Sequence, residues 1–173
     1  MVDLKNLMKH LPEVEAPKEK QGFNAKAKWT LAILIAFFIL SNISLYGMAS
    51  SFLERFDQLA VLLGTDFGSI ISLGIGPIVT ASIILQLLVG SKILDIDTKS
   101  PEGKKYFQGL QKILVIFFII FESGIFVLMG GFAPDLSLGS WGTAILMIQL
   151  MLGGFAILLM DEVVSKWGFG SGI

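Results

Sequence analysis

The chain has 173 residues, of which 54% are hydrophobic and 16% charged, with 13 Lys+Arg against 14 Asp+Glu, one histidine and no cysteine. Soluble domains run at about 45–50% apolar and about 25% charged, so this composition excludes a water-facing globule, and the apolar abundance also excludes disorder. The balanced charge argues against direct nucleic-acid binding, the missing cysteines exclude disulfides and thiolate chemistry, and His10 alone leaves little for zinc or triad chemistry, which points to an integral membrane protein.

A helix rises about 1.5 Å per residue, so a hydrocarbon core of about 30 Å calls for roughly 20 apolar residues. Residues 1–28 form a charged tail. The first predicted span, 29–46, carries no charge and is bracketed by Trp29 and Tyr46, the residue types that anchor helices at membrane interfaces. Its length, and the charged tail before it, exclude a cleavable signal peptide. Residues 51–65 place Phe52, Phe56, Leu59 and Leu63 at helical spacing, with Leu53 beside them, but Glu54, Arg55 and Asp57 interrupt the run. A short amphipathic helix fits, lying flat at the interface or dipping into a protein-lined cavity.

The second span, 69–91, is uncharged but holds Gly74, Gly76 and Pro77 near its start. Proline removes an N–H and clashes with the preceding turn, and such a break is tolerated at membrane depth only where protein or water satisfies the backbone. Span two is therefore expected to line a cavity. A loop at 92–112 leads to span three, 113–130, which contains Glu122; after 131–140, span four covers 141–160 and opens on Trp141. Residues 161–173 close the chain.

Orientation follows from the basic residues. Lys5, Lys9, Lys18, Lys20, Lys26 and Lys28 lie in the tail, Lys92, Lys99, Lys104, Lys105 and Lys112 in the 92–112 loop, and Lys166 in the last segment, whereas the opposite side has only Arg55. Four threaded spans then place the N-terminus, the 92–112 loop and residues 161 onward in the cytoplasm.

Glu122 sits near the middle of its span, where an acidic group on a lipid-facing surface costs about 2.5–3.5 kcal/mol on insertion scales, so it should face protein or water. It is read as functional, the alternative being a carboxyl hydrogen-bonded for packing alone. Thr80 falls at the midpoint of span two, so adjacent antiparallel spans put it level with Glu122, and its hydroxyl can donate to the carboxylate. A bond back to its own helix is the alternative. Ile75 and Val79 are four apart and share a helix face; from pattern alone they read as lipid contact or core packing. Gln86 and Gln149 are candidates for bonds between helices. Gly74-x-Gly76 is not a dinucleotide fingerprint, since no strand precedes it and position 79 is Val.

The stretch 73–88, LGIGPIVTASIILQLL, and the stretch 160–173, MDEVVSKWGFGSGI, closely resemble the SecY family, the large subunit of the protein-translocating channel; LPEVEAP near the N-terminus and KWT at 28–30 resemble its archaeal or eukaryotic-type branch. The resemblance implies an all-α membrane fold: four transmembrane helices, a short plug-like helix and the start of a fifth span, together the N-terminal half of an inverted-repeat channel. It implies that 51–65, with Phe52, Leu53, Phe56, Leu59 and Leu63, is the plug; that Ile75, Val79, Phe169 and Ile173 belong to the pore ring, an aromatic at 169 departing from the usual aliphatic; and that Thr80 and Glu122 belong to the lateral gate. Implied partners are a SecE-type subunit, a small third subunit, the C-terminal half of the same channel, a signal sequence or nascent chain, a ribosome or other motor, and lipid. No cofactor, metal or catalytic activity is implied, and the location is a prokaryotic, archaeal-type plasma membrane. Because 171–173 fall where span five should begin, the chain is expected to be a half or fragment that cannot enclose a pore alone.

Two other classes compete. Half of a secondary transporter, with Glu122 as coupling carboxylate, would also have a broken helix, but it would usually show a fuller binding constellation. An intramembrane enzyme needs a nucleophile–base pair or metal ligands, which one Glu and a remote His do not supply.

Overall fold

The computed structural model describes residues 11–17, 19, 21–49 and 68–170. They form four α-helices: α1 (Phe23–Ser41), α2 (Gly76–Gly90), α3 (Pro101–Leu128) and α4 (Ser140–Trp167), with a 3-10 turn at Leu136–Leu138. Helix α3 packs against both α2 and α4, and α1 packs against α4. No strand occurs among the described residues; two isolated antiparallel bridges, Ser44 with Ser69 and Met48 with Pro134, join the irregular segments.

The helix starts follow local chemistry. Ser100 caps α3 by accepting from the Gly103 amide at 3.1 Å, Pro101 occupies the first turn, where its missing N–H is no loss, and Glu102 suits the positive helix end. This start lies twelve residues before the expected span, so half of the 92–112 segment is helical and α3 carries Lys104, Lys105, Gln108 and Gln111 outward on the same rod. Helix α4 likewise runs past residue 160 to Trp167. Helix α1 runs Phe23–Ser41 rather than 29–46; Ser41 Oγ and Asn42 Nδ2 both donate to the Phe38 carbonyl at its end.

Three of the four expected spans are helices long and apolar enough to cross a membrane: Phe23–Ser41, Pro101–Leu128 and Trp141–Trp167. The second differs. Residues 68–75 are turns, and α2 begins only at Gly76, with Pro77 in its first turn. Its 15 residues reach about 22 Å, short of a full crossing, and the turns supply the remainder. Gly74 takes φ +56, a left-handed turn that a side chain would strain.

Two apolar clusters hold the helices. Leu45, Met48, Leu73, Val127, Phe132, Leu146 and Leu150 pack at one end and bring the irregular segments onto α3 and α4. Ile71, Ile78, Ala81, Val115, Ile119, Ile157 and Leu158 pack α2, α3 and α4 together. Close approach is permitted by a glycine pair on α4: a Cβ at Gly153 would collide with the backbone carbonyl of Ile70, and one at Gly154 would stand 2.9 Å from Ile119. Helix α1 buries no residue, as expected of an apolar rod meeting lipid or further protein.

Candidate functional site

The site is built where the turns of 68–75 become α2. Ile75 is the N-cap residue, 49% exposed, and its carbonyl accepts from the amides of Ile78 and Val79 at 3.1 and 3.0 Å. Val79 is half-buried one turn on. Below Val79 the same side of α2 turns polar: Val79, Ser82, Ile83 and Gln86 line a cavity of about 220 Å³ with Gln111 of α3 and Asp161 of α4. Gln111 donates to Ser82 Oγ at 2.7 Å. A face that meets acyl chains would not gather these groups, so this side of α2 borders a polar space.

On its neighbouring side α2 meets Glu122. Thr80 stands beside the Glu122 carboxylate, as the level placement of the two spans predicts. The carboxylate lies over Gly76, where a Cβ would stand 3.3 Å from Oε2. Glycine at 76 therefore has two local uses: it opens the helix and it leaves room for the carboxyl group.

Phe169 lies just beyond the end of α4. Its ring packs on Phe23 with centroids 5.2 Å apart, its amide donates to Thr30 Oγ1 at 3.4 Å, and it is 55% exposed. These contacts tie the end of α4 to α1. Ile173 and the expected plug residues Phe52, Leu53, Phe56, Leu59 and Leu63 lie outside the described residues.

One polar network goes beyond the residues singled out in the sequence. Lys112 of α3 donates to Glu162 of α4 at 2.8 Å, with both side chains about 15% exposed; Lys166 donates to Glu162 at 2.9 Å and to Glu13 at 2.7 Å. Lys166 also donates to the Val14 carbonyl, and Trp167 Nε1 to that of Glu15, so the tail is strapped across the end of α4. The Glu162–Lys166 spacing is a legible helical pair; Lys112 and Glu13 are brought in only by folding. Gln149 was expected to bond between helices. It instead accepts from the Tyr46 amide and donates to the Tyr46 carbonyl, both at 2.9 Å.

Known proteins share both sequence and shape with this chain. The protein translocase subunit SecY of Methanothermobacter thermautotrophicus is 52% identical over 163 residues, covering 94% of this chain and 35% of its own length. The SecY subunit of Pyrococcus furiosus is 43% identical over 168 residues, covering 96% of this chain and 36% of its own length. The chain thus spans little more than a third of these relatives. A solved SecY structure, described for a plug domain that stabilises the closed state and maintains a membrane seal, superposes with a TM-score of 0.86 at 39% identity, covering 98% of this chain and 38% of that one. Sec61 in a canine ribosome–channel complex from the endoplasmic reticulum superposes with a TM-score of 0.81 at 37% identity, covering 98% and 39%. Nothing among these relatives supports the small-molecule transporter alternative. The SecY family model itself matches residues 69–173, the stretch that holds the broken second span, Glu122 and the end of α4, and the chain belongs to the SecY family.

Proposed function

We propose that the chain supplies part of the wall of a protein-conducting channel, which moves unfolded polypeptides across the membrane and releases signal or transmembrane segments sideways into lipid. The observation that carries this reading is the mixed character of one side of α2: exposed Ile75 and half-buried Val79 stand directly above a cavity lined by Ser82, Gln86, Gln111 and Asp161. An aliphatic constriction above a polar vestibule seals by dewetting, because water and ions gain no hydrogen bonds at the narrow point. It yields to any translocating side chain because apolar contacts lack direction.

Phe169 and Ile173 complete this chain's share of the pore ring, and residues 51–65 act as the plug. Thr80 and Glu122 form its share of the lateral gate, supported by their juxtaposition near mid-span. The lysine-rich ends face the cytoplasm of a prokaryotic, archaeal-type plasma membrane. A SecE-type subunit, a small third subunit and the remaining half of the channel complete the conduit, and a ribosome or another motor feeds it. The chain performs no catalytic step in this scheme.

The test is site-specific crosslinking from positions 75 and 79 to a stalled nascent chain in the complete channel. Crosslinks from both are expected; capture of lipid alone overturns the assignment. Ile75→Asn and Val79→Asn should also make the resting channel conduct ions, and a tight seal in planar bilayers would remove these residues from the constriction.

A further inference from the structure

The segment between α1 and residue 49 lies against membrane-spanning helices without being helical, so each of its backbone polar groups needs a partner. Two short ladders supply four such partners. Leu45 N–H donates to Gly68 C=O at 2.7 Å and Ile70 N–H to Ile43 C=O at 2.9 Å; Ala49 N–H donates to Ala133 C=O at 3.0 Å and Asp135 N–H to Gly47 C=O at 2.8 Å. Tyr46 falls between the ladders and belongs to neither. Its amide and its carbonyl are both taken by one side chain, that of Gln149, at 2.9 Å each. A primary amide is suited to this, since it presents a donor and an acceptor side by side.

Gln149 lies eight residues along α4 from Trp141, about 12 Å along the helix, and Gly153 follows one turn later, where the Ile70 carbonyl packs against α4. The two positions form a seat. Gln149 holds Tyr46; the 43–45 ladder fixes 68–70; Ile70 rests on Gly153; Leu73 is buried with Leu45 and Met48; and two residues later the chain reaches Ile75.

We propose that Gln149 is a positioning residue for the channel's constriction, holding the Tyr46 backbone so that the paired segment 68–75 sets where Ile75 and Val79 stand. This rests on the reading of those two residues as pore-lining. Gln149 touches neither, and it acts through hydrogen-bonded backbone.

The experiment uses the complete channel complex in planar bilayers. Gln149→Met keeps the volume and removes both hydrogen bonds. Its resting conductance should rise about tenfold, as expected when two backbone groups lose their partners, while assembly and thermal stability stay near those of the parent. A second variant supplies the rescue. Ser44 and Ser69 are a non-hydrogen-bonded antiparallel pair, the geometry in which Cα atoms approach to about 4.5 Å and a disulfide can form. Oxidised Ser44→Cys/Ser69→Cys should restore the seal in the Gln149→Met background, and reduction should release it. Where Gln149→Met fails to accumulate alone, recovery of both yield and seal by the oxidised pair supports the proposal, and failure of either to recover overturns it. An unchanged resting conductance, or a leak indifferent to the disulfide, also overturns it. Ile75→Asn and Val79→Asn run in the same bilayers separate the two ideas: if they leak while Gln149→Met stays sealed, the positioning role alone falls, and if they too stay sealed, the constriction falls with it.

Discussion

Glu122 is the residue whose depth most needs explanation, and its surroundings supply it: a hydroxyl from Thr80 on one side and the bare backbone of Gly76 beneath. Gln at 122 can still accept from Thr80, whereas Leu cannot. We expect Glu122→Gln to leave export of precursors with weakened signals near the parental level. Glu122→Leu should lower that export about threefold, the equivalent of one interhelical hydrogen bond in a bilayer, because an apolar gate wall packs shut without a polar group to open around. Equal export by both variants would remove the carboxyl group from the gate. The adjacent glycines of α4 make a second residue-scale contrast. A methyl at 153 meets a backbone carbonyl that cannot swing away, while one at 154 meets the buried, β-branched side chain of Ile119, which has only to give slightly. Gly153→Ala should therefore cost about 3 kcal/mol and Gly154→Ala about 1 kcal/mol, measured as unfolding in detergent micelles. Similar losses would mean that 68–75 is not firmly seated.

At the scale of elements, α3 and α4 are joined twice, by the apolar layer around Ile119 and Ile157 and by the Lys112–Glu162 pair beyond it. That pair is largely withdrawn from solvent; removing Glu162 takes the carboxylate from Lys112, whereas removing Lys112 leaves Glu162 still paired with Lys166. Glu162→Met alone is expected to destabilise the helix pair by on the order of 3 kcal/mol and Lys112→Met by less, since Lys166 still neutralises Glu162, and the double substitution should recover most of the Glu162→Met loss. Additive losses in the double-mutant cycle would show that the two charges do not support each other. Lys166 adds the tail through Glu13 and Val14, so the same network also fixes residues 13–15 against the end of α4. The cap on α3 is a separate contribution: Ser100→Ala should cost about 1 kcal/mol in the same unfolding measurement, and no change would mean that water replaces the hydroxyl without loss.

For the whole molecule, the proposed orientation rests on the lysines. A cysteine at Lys99 is expected to react with a membrane-impermeant maleimide only from the cytoplasmic side, and one at Ser137, in the turn before α4, only from outside. The reverse pattern would invert the channel and detach the lysine-rich end from any cytoplasmic motor. This arrangement also gives α1 its meaning as an element without a buried residue: its packing partner within the described chain is α4, and its exposed Leu31, Leu34, Phe38 and Ile39 suit lipid or further protein.

The sequence by itself determined the class of protein, the number of apolar segments, the break ahead of Pro77 and the level pairing of Thr80 with Glu122, because hydrophobic length and helical rise are local properties that need no knowledge of neighbours. It also carries the start of α3 in Ser100-Pro101-Glu102, an N-cap, a first-turn proline and an acidic first turn set inside the charged stretch 92–112. Only the tertiary structure decided where the backbone of 42–49 finds its partners, that Gln149 serves Tyr46 rather than another helix, and that Gly153 makes room for Ile70. Those contacts join residues from 23 to 103 positions apart. Their identities depend on which face of α4 turns toward the irregular segments, and no periodicity in a strongly apolar helix marks that face.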